Sequence, residues 1–232
     1  MKIHFLIKVK YMLKIKSYFQ RPEKGYDPVP LAYAQKYTDF EFKKVDSELV
    51  NKIGAFSNGF ANKTLLDLGA GPGQYSIEFA KQGALVTWHD ISKNYLEIAS
   101  QKSRGEKMNI KFSLGYLESA QGKFDILFNR ICWYYCINDY KFAGLIYSLV
   151  NSGGYGYIIV NNENWLFNKL KTEKWIKRVY LSINFWLNDF FDIKFIHIHP
   201  SHKKLKKVFS QFHFTYINIE KEKLNTVISF KK

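Results

Sequence analysis

The segment Leu65-Leu66-Asp67-Leu68-Gly69-Ala70-Gly71-Pro72-Gly73-Gln74-Tyr75 constrains the fold of this chain more than any other stretch. Two apolar residues and an acid lead into three glycines at every second position, the pattern of a buried strand that ends in a tight turn and opens a helix. Glycine is needed where the backbone takes a positive φ or lies against a ligand with no Cβ between them. A flat or extended cofactor can therefore rest directly on this loop. The dinucleotide fingerprint G-x-G-x-x-G fails from either starting glycine, at Gln74 and at Ser76, and the triphosphate pattern G-x-x-x-x-G-K-[ST] is absent.

The residues after the loop narrow the choice. Ser76 to Gln82 reads as a helix ended by Gly83, and Ala84 to His89 as a second strand closing on Asp90. Asp90 stands 21 residues after Gly69, about where nucleoside-binding sheets place an acid on the ribose hydroxyls. A carboxylate suits that task because it only accepts and can take two O–H donors together. A further helix begins at Ser92, with Tyr95, Leu96, Ile98 and Ala99 as its packing residues. The plain alternative is an ordinary strand-to-helix turn with Asp90 capping that helix.

The run Asp67-x-Gly69-x-Gly71-x-Gly73, with Asp90 beyond it, resembles the class I S-adenosylmethionine-dependent methyltransferases, small-molecule type. The resemblance implies a Rossmann-like α/β fold with a mostly parallel seven-stranded sheet and helices on both faces. It also implies S-adenosylmethionine held by Asp67, Gly69, Ala70, Gly71, Gly73, Asp90, Ile91, Tyr116, Leu117 and Asn129, with Asp67 near the methionine part and Asp90 on the ribose. One position departs from the family: after the third strand, Asn109 to Ser113, Tyr116 stands where an acid usually accepts the adenine amino group. Tyr116 can stack on the adenine or hydrogen-bond it, with the Leu117 N–H on a ring nitrogen.

Lys123 to Arg130 reads as the fourth strand, at whose exit reacting groups gather in doubly wound sheets. The next residues, Asn129-Arg130-Ile131-Cys132, lack the prolines of amino-directed nucleic-acid methyltransferases. Neither Cys132 nor Cys136 follows a proline, which removes the cytosine C5 chemistry as well. Buried inert thiols are the simpler reading of both. Ile137 to Val150 reads as an amphipathic helix, Asn151 to Gly154 as its stop, and Tyr155 to Val160 as the fifth strand. Residues 161–200 then mix aromatic and cationic side chains, and family members carry a substrate-binding insertion in this position; a helix burying its aromatic side on the sheet would use many of the same residues. A basic helix from Ser201 to Phe212 and two alternating strands, Phe214 to Ile219 and Asn225 to Phe230, match the closing hairpin of the family sheet.

Charge is informative once divided. The chain carries +15 in total, as +5 over residues 1–60, +2 over 61–161 and +8 over 162–232. The central part is nearly neutral and the flanks are basic, which suits an anionic acceptor, a nucleic acid or a lipid headgroup, or simply a lysine-rich solvated surface. Two cysteines exclude a disulfide scaffold and a four-thiolate zinc site and fit the cytoplasm. Residues 1–20 alternate apolar and lysine residues too often for a membrane span or secretion signal. They read as a helix over the core, with peripheral membrane contact through the N-terminus as the other reading. The turn-rich stretch 21–30 comes next, then two helices, Leu31 to Tyr37 and Lys44 to Phe56, with Tyr33 and Tyr37 on one face where they can line the site or pack on the sheet.

The expected organisation is an N-terminal helical cover at 1–60, a cofactor-binding α/β core at 61–160, an insertion or lid at 161–200, and a closing helix and hairpin at 201–232. The expected activity is methyl transfer to oxygen or nitrogen of a small-molecule acceptor. The alternatives are a methyltransferase acting on RNA or protein, and a non-catalytic protein that binds the cofactor or a membrane surface. His197, His199 and His202 lack partner ligands at metal spacing, so no metal is expected. His89, His197, His199, Tyr134 and Asn161 are all conceivable proton acceptors, and the sequence does not choose among them.

Overall fold

A computed structural model describes residues 27–232; the reading of residues 1–20 lies outside them. Helices α1 (Leu31–Lys43) and α2 (Ser47–Phe56) precede strand β1 (Thr64–Leu68). Strands and helices then alternate: α3 (Gln74–Lys81), β2 (Leu85–Asp90), α4 (Lys93–Gly105), β3 (Lys111–Leu114), β4 (Phe124–Arg130), α5 (Asp139–Leu149) and β5 (Val150–Asn161), with no α-helix between β3 and β4. Helices α6 (Glu163–Lys171), α7 (Trp175–Phe191) and α8 (His202–Phe209) lead to the hairpin β6 (Tyr216–Lys221) and β7 (Asn225–Lys231). The sheet order is β3-β2-β1-β4-β5-β7-β6, parallel from β3 to β5, with β7 antiparallel to both of its neighbours. The chain reverses its lateral walk between β1 and β4, which is where open α/β sheets bind ligands.

The strands are apolar on both faces because helices cover both. Leu65, Val86, Trp88, Ile126, Phe128 and Ile159 pack with Ala34, Val50, Ile53, Ile77, Phe79 and Ala99 from α1 to α4. Their sequence neighbours Leu66, Leu127 and Ile158 point the other way, onto Phe142 and Ile146 of α5 and Leu205, Val208 and Phe209 of α8.

Several boundaries move. Helix α1 runs six residues past Tyr37 to Lys43, and α2 starts only after Asp46, whose carboxylate accepts the Leu49 N–H at 2.9 Å. Helix α3 starts at Gln74 rather than Ser76, and α8 ends at Phe209 rather than Phe212. The stretch Asn151 to Gly154 is not a stop before β5 but belongs to it: α5 passes directly into the strand at Val150, with an irregular register against β4. Gly153, at φ 76°, absorbs the bend that two glycines in a strand usually mark.

A buried charge network holds the C-terminal end of α7 and Lys194 to α5 and α8. Asp139 Oδ1 accepts from Lys194 Nζ at 2.5 Å and from Trp133 Nε1 at 2.9 Å, while Lys204 Nζ lies 2.7 Å from Oδ2. Lys204 also bonds Asp192, at 2.7 Å, and the Asn188 carbonyl, so one carboxylate joins α5, the C-terminal end of α7 and α8. The Asp139 side chain has no exposed surface, and Lys194 and Lys204 keep only 5% and 2%. Although burial alone would raise it, the two ammonium groups hold the Asp139 carboxyl down at about 2.

Asp139→Ala leaves two buried cations without a carboxylate and is expected to cost about 3–5 kcal/mol, read as a lower urea midpoint. Since the folded value lies below the ordinary carboxylate value of 3.8, this contribution is complete above 3.8 and is lost as the pH falls toward 2. The wild type should therefore lose stability over that interval more steeply than Asp139→Ala; parallel acid profiles would contradict the assignment.

Candidate functional site

The glycine loop is stitched to the end of β2. Gly69 and Ala70 donate their N–H groups to the His89 carbonyl at 2.8 and 3.1 Å, and Gly71 donates to Asp90 Oδ2 at 2.9 Å. Trp88 Nε1 supports the same loop from below, donating to the Gly71 carbonyl at 2.9 Å. Gly69, Gly71 and Gly73 all have positive φ, at 76°, 54° and 83°. Beyond that shared conformation, Gly69 and Gly71 meet different surroundings. A Cβ on Gly69 would sit 2.3 Å from Cys132 Sγ, so the strand-to-turn junction is closed by packing. A Cβ on Gly71 would meet nothing within 4 Å, so this glycine faces open space at the carboxyl edge of the sheet.

Asp90 Oδ1 accepts the Ser92 N–H at 3.0 Å while Oδ2 holds Gly71, and the carboxylate retains lone pairs for further donors. Burial raises its pKa, against the lowering effect of the amides from Ser92 and Gly71. Ile91, half-buried, comes next on the same turn. Asp67 is buried at the end of β1, with Oδ2 accepting from Ser76 Oγ at 2.6 Å. Burial pushes its carboxyl up to about 7, with the Asp90 charge adding to the rise and the Ser76 hydroxyl opposing it.

Tyr116, expected toward the adenine, precedes a short 3-10 turn at Leu117–Ser119, and the Leu117 side chain reaches the packing position beside Gly69. The Tyr116 carbonyl accepts from His89 Nε2 at 2.8 Å, and because a carbonyl only accepts, that nitrogen carries the proton. His89 Nδ1 then accepts from Ser113 Oγ at 3.0 Å. Both ring nitrogens are spent on β3 and the turn after it, and burial lowers the ring's pKa, which corrects the inclusion of His89 among the proton acceptors. Asn129, expected as a cofactor contact, commits its amide nitrogen to the frame, while its Oδ1 is buried without a hydrogen-bond partner. It is fully buried, and its Nδ2 donates to the Leu68 carbonyl and Cys132 Sγ, both at 2.8 Å, so it braces the end of β1 from beneath the loop. Burial raises the Cys132 and Cys136 thiols, as expected of inert cysteines.

The other conceivable acceptors gather on the far side of the loop. Tyr134 lies on a 3-10 turn after β4, and its ring stands 4.5 Å from that of His199 and 6.3 Å from that of His197. Asn161, the last residue of β5, brings Nδ2 to 3.4 Å from His199 Nε2, and Trp165 of α6 meets the His199 ring edge-on at 5.6 Å. Tyr134, Asn161 and His199 thus converge at the ends of β4 and β5. Burial, helped by the Lys194 charge, drops His199 to about 3, so the imidazole is neutral, and its Nδ1 is buried without a hydrogen-bond partner. A nitrogen so weakly basic can hold a hydrogen bond to a ligand but is poorly suited to carry its proton away. His202 is apart from this cluster, with Nδ1 3.3 Å from Thr226 Oγ1, and among the described residues no group of His, Cys, Asp or Glu is placed to hold a metal ion.

The cover over the loop depends on residues that the sequence did not single out. Asp27 accepts from Ser92 Oγ at 3.0 Å and from the Asn94 N–H at 2.7 Å, fixing the entry to α1 onto the start of α4. Glu41 Oε2 takes Gln74 Nε2 at 2.9 Å and Arg130 Nη1 at 3.1 Å, fixing the end of α1 to the start of α3 and the end of β4. Tyr33 and Tyr37 stack at 5.8 Å, and Tyr37 packs on Tyr95 at 6.1 Å. No local pattern marks Asp27 or Glu41, whose partners Ser92 and Arg130 lie 65 and 89 residues away along the chain. Ile131, just past β4, has φ 53°, an uncommon conformation for a β-branched residue and a sign of local strain at a site.

This architecture, with its glycine loop, acid-tipped second strand and reversed closing strand, is the Rossmann-like fold of class I methyltransferases. Residues 65–154 match the family model of the methyltransferase domain, and over this stretch the chain is similar to the class I S-adenosylmethionine-dependent methyltransferases. A protein of Geobacillus sp. (strain WCH70) named as a methyltransferase is 42% identical over 60 residues, which cover 26% of this chain and 24% of that relative. The match therefore spans about a quarter of the relative's length. Among solved structures, a SAM-dependent methyltransferase from Aquifex aeolicus superposes with a TM-score of 0.58 at 14% identity, over 87% of this chain and 98% of that one. The magnesium protoporphyrin IX methyltransferase of Synechocystis PCC 6803 with bound SAM gives 0.56 at 14% identity, over 80% and 77%. At such identities the likeness is one of fold. The fit to S-adenosylmethionine rests on this chain's own features: the open face at Gly71, the Asp90 carboxylate beside it and the buried acid Asp67.

Two glycine variants separate the loop's roles. Gly71→Val should lose cofactor affinity, because the side chain enters open space above the loop, and should lower the thermal midpoint only by the strain of a β-branched residue at φ 54°, with no clash added. Gly69→Ala should lower the thermal midpoint through the contact with Cys132 as well as the positive φ. Asp90→Ala should cost about 1.5–3 kcal/mol of cofactor affinity by titration calorimetry, roughly 10- to 150-fold.

Proposed function

We propose that the chain transfers a methyl group from S-adenosylmethionine to an oxygen or nitrogen of a small-molecule acceptor, leaving S-adenosylhomocysteine. The cofactor supplies an electrophilic methyl on a sulfonium centre. The residues that would hold it are the Gly69–Gly73 loop, Asp67, Asp90 and Ile91, with Tyr116 and Leu117 toward the adenine. An acceptor lone pair forms the new bond to the methyl carbon as the carbon–sulfur bond breaks, and the acceptor's own proton passes to solvent or to a nearby polar group. Such a displacement gains chiefly from alignment.

The observation that carries the reading is the cluster of Tyr134, Asn161, Trp165 and His199 at the ends of β4 and β5. Two aromatic faces and a neutral imidazole with an unpartnered nitrogen suit a compact, partly planar molecule with a hydrogen-bonding group. The absence of a proline motif after β4 argues against a flipped base. The magnesium protoporphyrin enzyme and a plantazolicin methyltransferase, the latter at 12% identity and a TM-score of 0.59, have the same fold and act on small compounds by their names. A cytoplasmic location suits the two free cysteines, and among the described residues no helix is long and apolar enough to cross a membrane. The +8 charge over residues 162–232 favours a second reading, an RNA or protein acceptor bound through the basic flank.

Incubating the purified chain with methyl-labelled S-adenosylmethionine and cell extract should place label in the small-molecule fraction. Label released by ribonuclease or protease would replace this reading with the second. A separate titration tests Asp67. A cation bound beside this carboxylate lowers its pKa, so below its free value of about 7 binding releases a proton. Affinity should climb from about pH 6 to about pH 8 in the wild type and stay flat in Asp67→Asn.

A further inference from the structure

Helix α7 is turned inside out. Its buried residues are two asparagines, Asn184 and Asn188, while Leu181 and Phe185 are partly buried against α6. Another side carries Trp175, Val179, Ile183, Trp186 and Phe190, spaced four, four, three and four residues apart and between 49% and 72% exposed. At 3.6 residues per turn these five fall within about 80° of arc and run roughly 22 Å along the helix. Ile176 widens the stripe at one end and Phe191 at the other, both exposed. A monomeric surface rarely presents so continuous an apolar band, and the polar alternative was available, since the helix spends its asparagines on the interior.

The charges around the stripe identify what covers it. Lys169, Lys171, Lys174, Lys177 and Arg178 are all exposed at its N-terminal end. The acids of the region are already engaged: Glu163 with Lys221 and the His202 N–H, Glu173 with Lys177, and Asp189 with the Ser201 N–H. The surface is therefore apolar, with two exposed tryptophans, beside a cluster of cations that outnumbers its acids. A second copy of this chain is a poor occupant, because paired stripes would bring two basic clusters and two molecules of net charge +15 together. A nucleic acid would use the cations and leave the aliphatic stripe in water. An anionic lipid surface uses both, with the apolar side chains below the headgroups and the cations among them.

We propose that the outer face of α7 is a membrane-docking surface that lies in the interface of an anionic phospholipid bilayer. The helix does not span the bilayer; it lies flat on it, held by the Asp139 network to the same body that carries the glycine loop. The inference does not depend on the identity of the methyl acceptor.

The test uses the full chain with phosphatidylcholine vesicles and with vesicles containing about 30% phosphatidylglycerol, an anionic content at which a basic surface is attracted. Expected are pelleting with the anionic vesicles, weakening with salt, and a loss of at least roughly tenfold in the partition coefficient for the double variant Ile183→Glu/Trp186→Glu, about 1.4 kcal/mol or more. Both positions are about half exposed, so the variant should keep the wild-type circular dichroism and cofactor binding. Lys174→Glu/Arg178→Glu should weaken binding to anionic vesicles and remove much of its salt dependence. Equal pelleting of wild type and the Ile183→Glu/Trp186→Glu variant would overturn the proposal by placing contact elsewhere in the chain. No pelleting, or a wild-type dimer in sedimentation that the same variant dissociates, would overturn it too, the latter in favour of self-association.

Discussion

The hydrogen bond from the Gly71 N–H to Asp90 holds together what the rest of the structure needs near one point. Parallel strands β1 and β2 end side by side, and the chain leaving β1 must turn without covering the strand ends. The amides of Gly69 and Ala70 on the His89 carbonyl begin the turn, Gly71 fixes its crest to the Asp90 carboxylate, and Gly73 at positive φ starts α3. Each bond satisfies a backbone donor that would otherwise be lost in a partly buried loop. The same contacts leave the Gly71 face open and place an acid beside it, so the geometry that closes the fold also forms the cradle.

Two layers of support surround that point. Beneath it, Asn129 spans from β4 to the Leu68 carbonyl and to Cys132, and Cys132 fills the space that a Cβ on Gly69 would need. Above it, Asp27 and Glu41 fasten α1 to α4, α3 and β4. Neither layer closes the open face, and both determine its shape. On the far side of β4 and β5, the Asp139 network performs the same service for the aromatic region, letting α7 keep asparagines inward and tryptophans outward. A helix with that polarity would not stay in place through apolar burial alone, so the buried ion pairs and the Lys204 ammonium donating to Asn188 hold it.

The order of the central strands and the cofactor loop were legible because their signals are local. Glycines forced by positive φ, an acid at the tip of the next strand and apolar runs covered on both faces depend only on nearby sequence. Boundaries were less legible where a tertiary contact competed with propensity. Helix α1 continues past Tyr37 because Glu41 finds Gln74 and Arg130, and β5 begins at Val150 because Val150 pairs with Phe124 of β4 before the irregular stretch 151–154, with regular pairing resuming at Tyr155. His89 and Asn129 carry functional-looking side chains whose donors are spent on the frame.

By itself the sequence determined a backbone cradle at residues 69–73 and a carboxylate at its rim, since both come from what glycine and aspartate can do within a few residues, and the resemblance carried by that pattern implied the doubly wound α/β sheet. Only the tertiary structure decided which polar groups remain available and which way α7 faces. Availability depends on partners many residues away in the chain, as Asn161 and His199 show, and the orientation of an amphipathic helix is fixed by what its polar side can bond. Periodicity locates a stripe on a helix, and only packing tells whether that stripe meets the core or the outside.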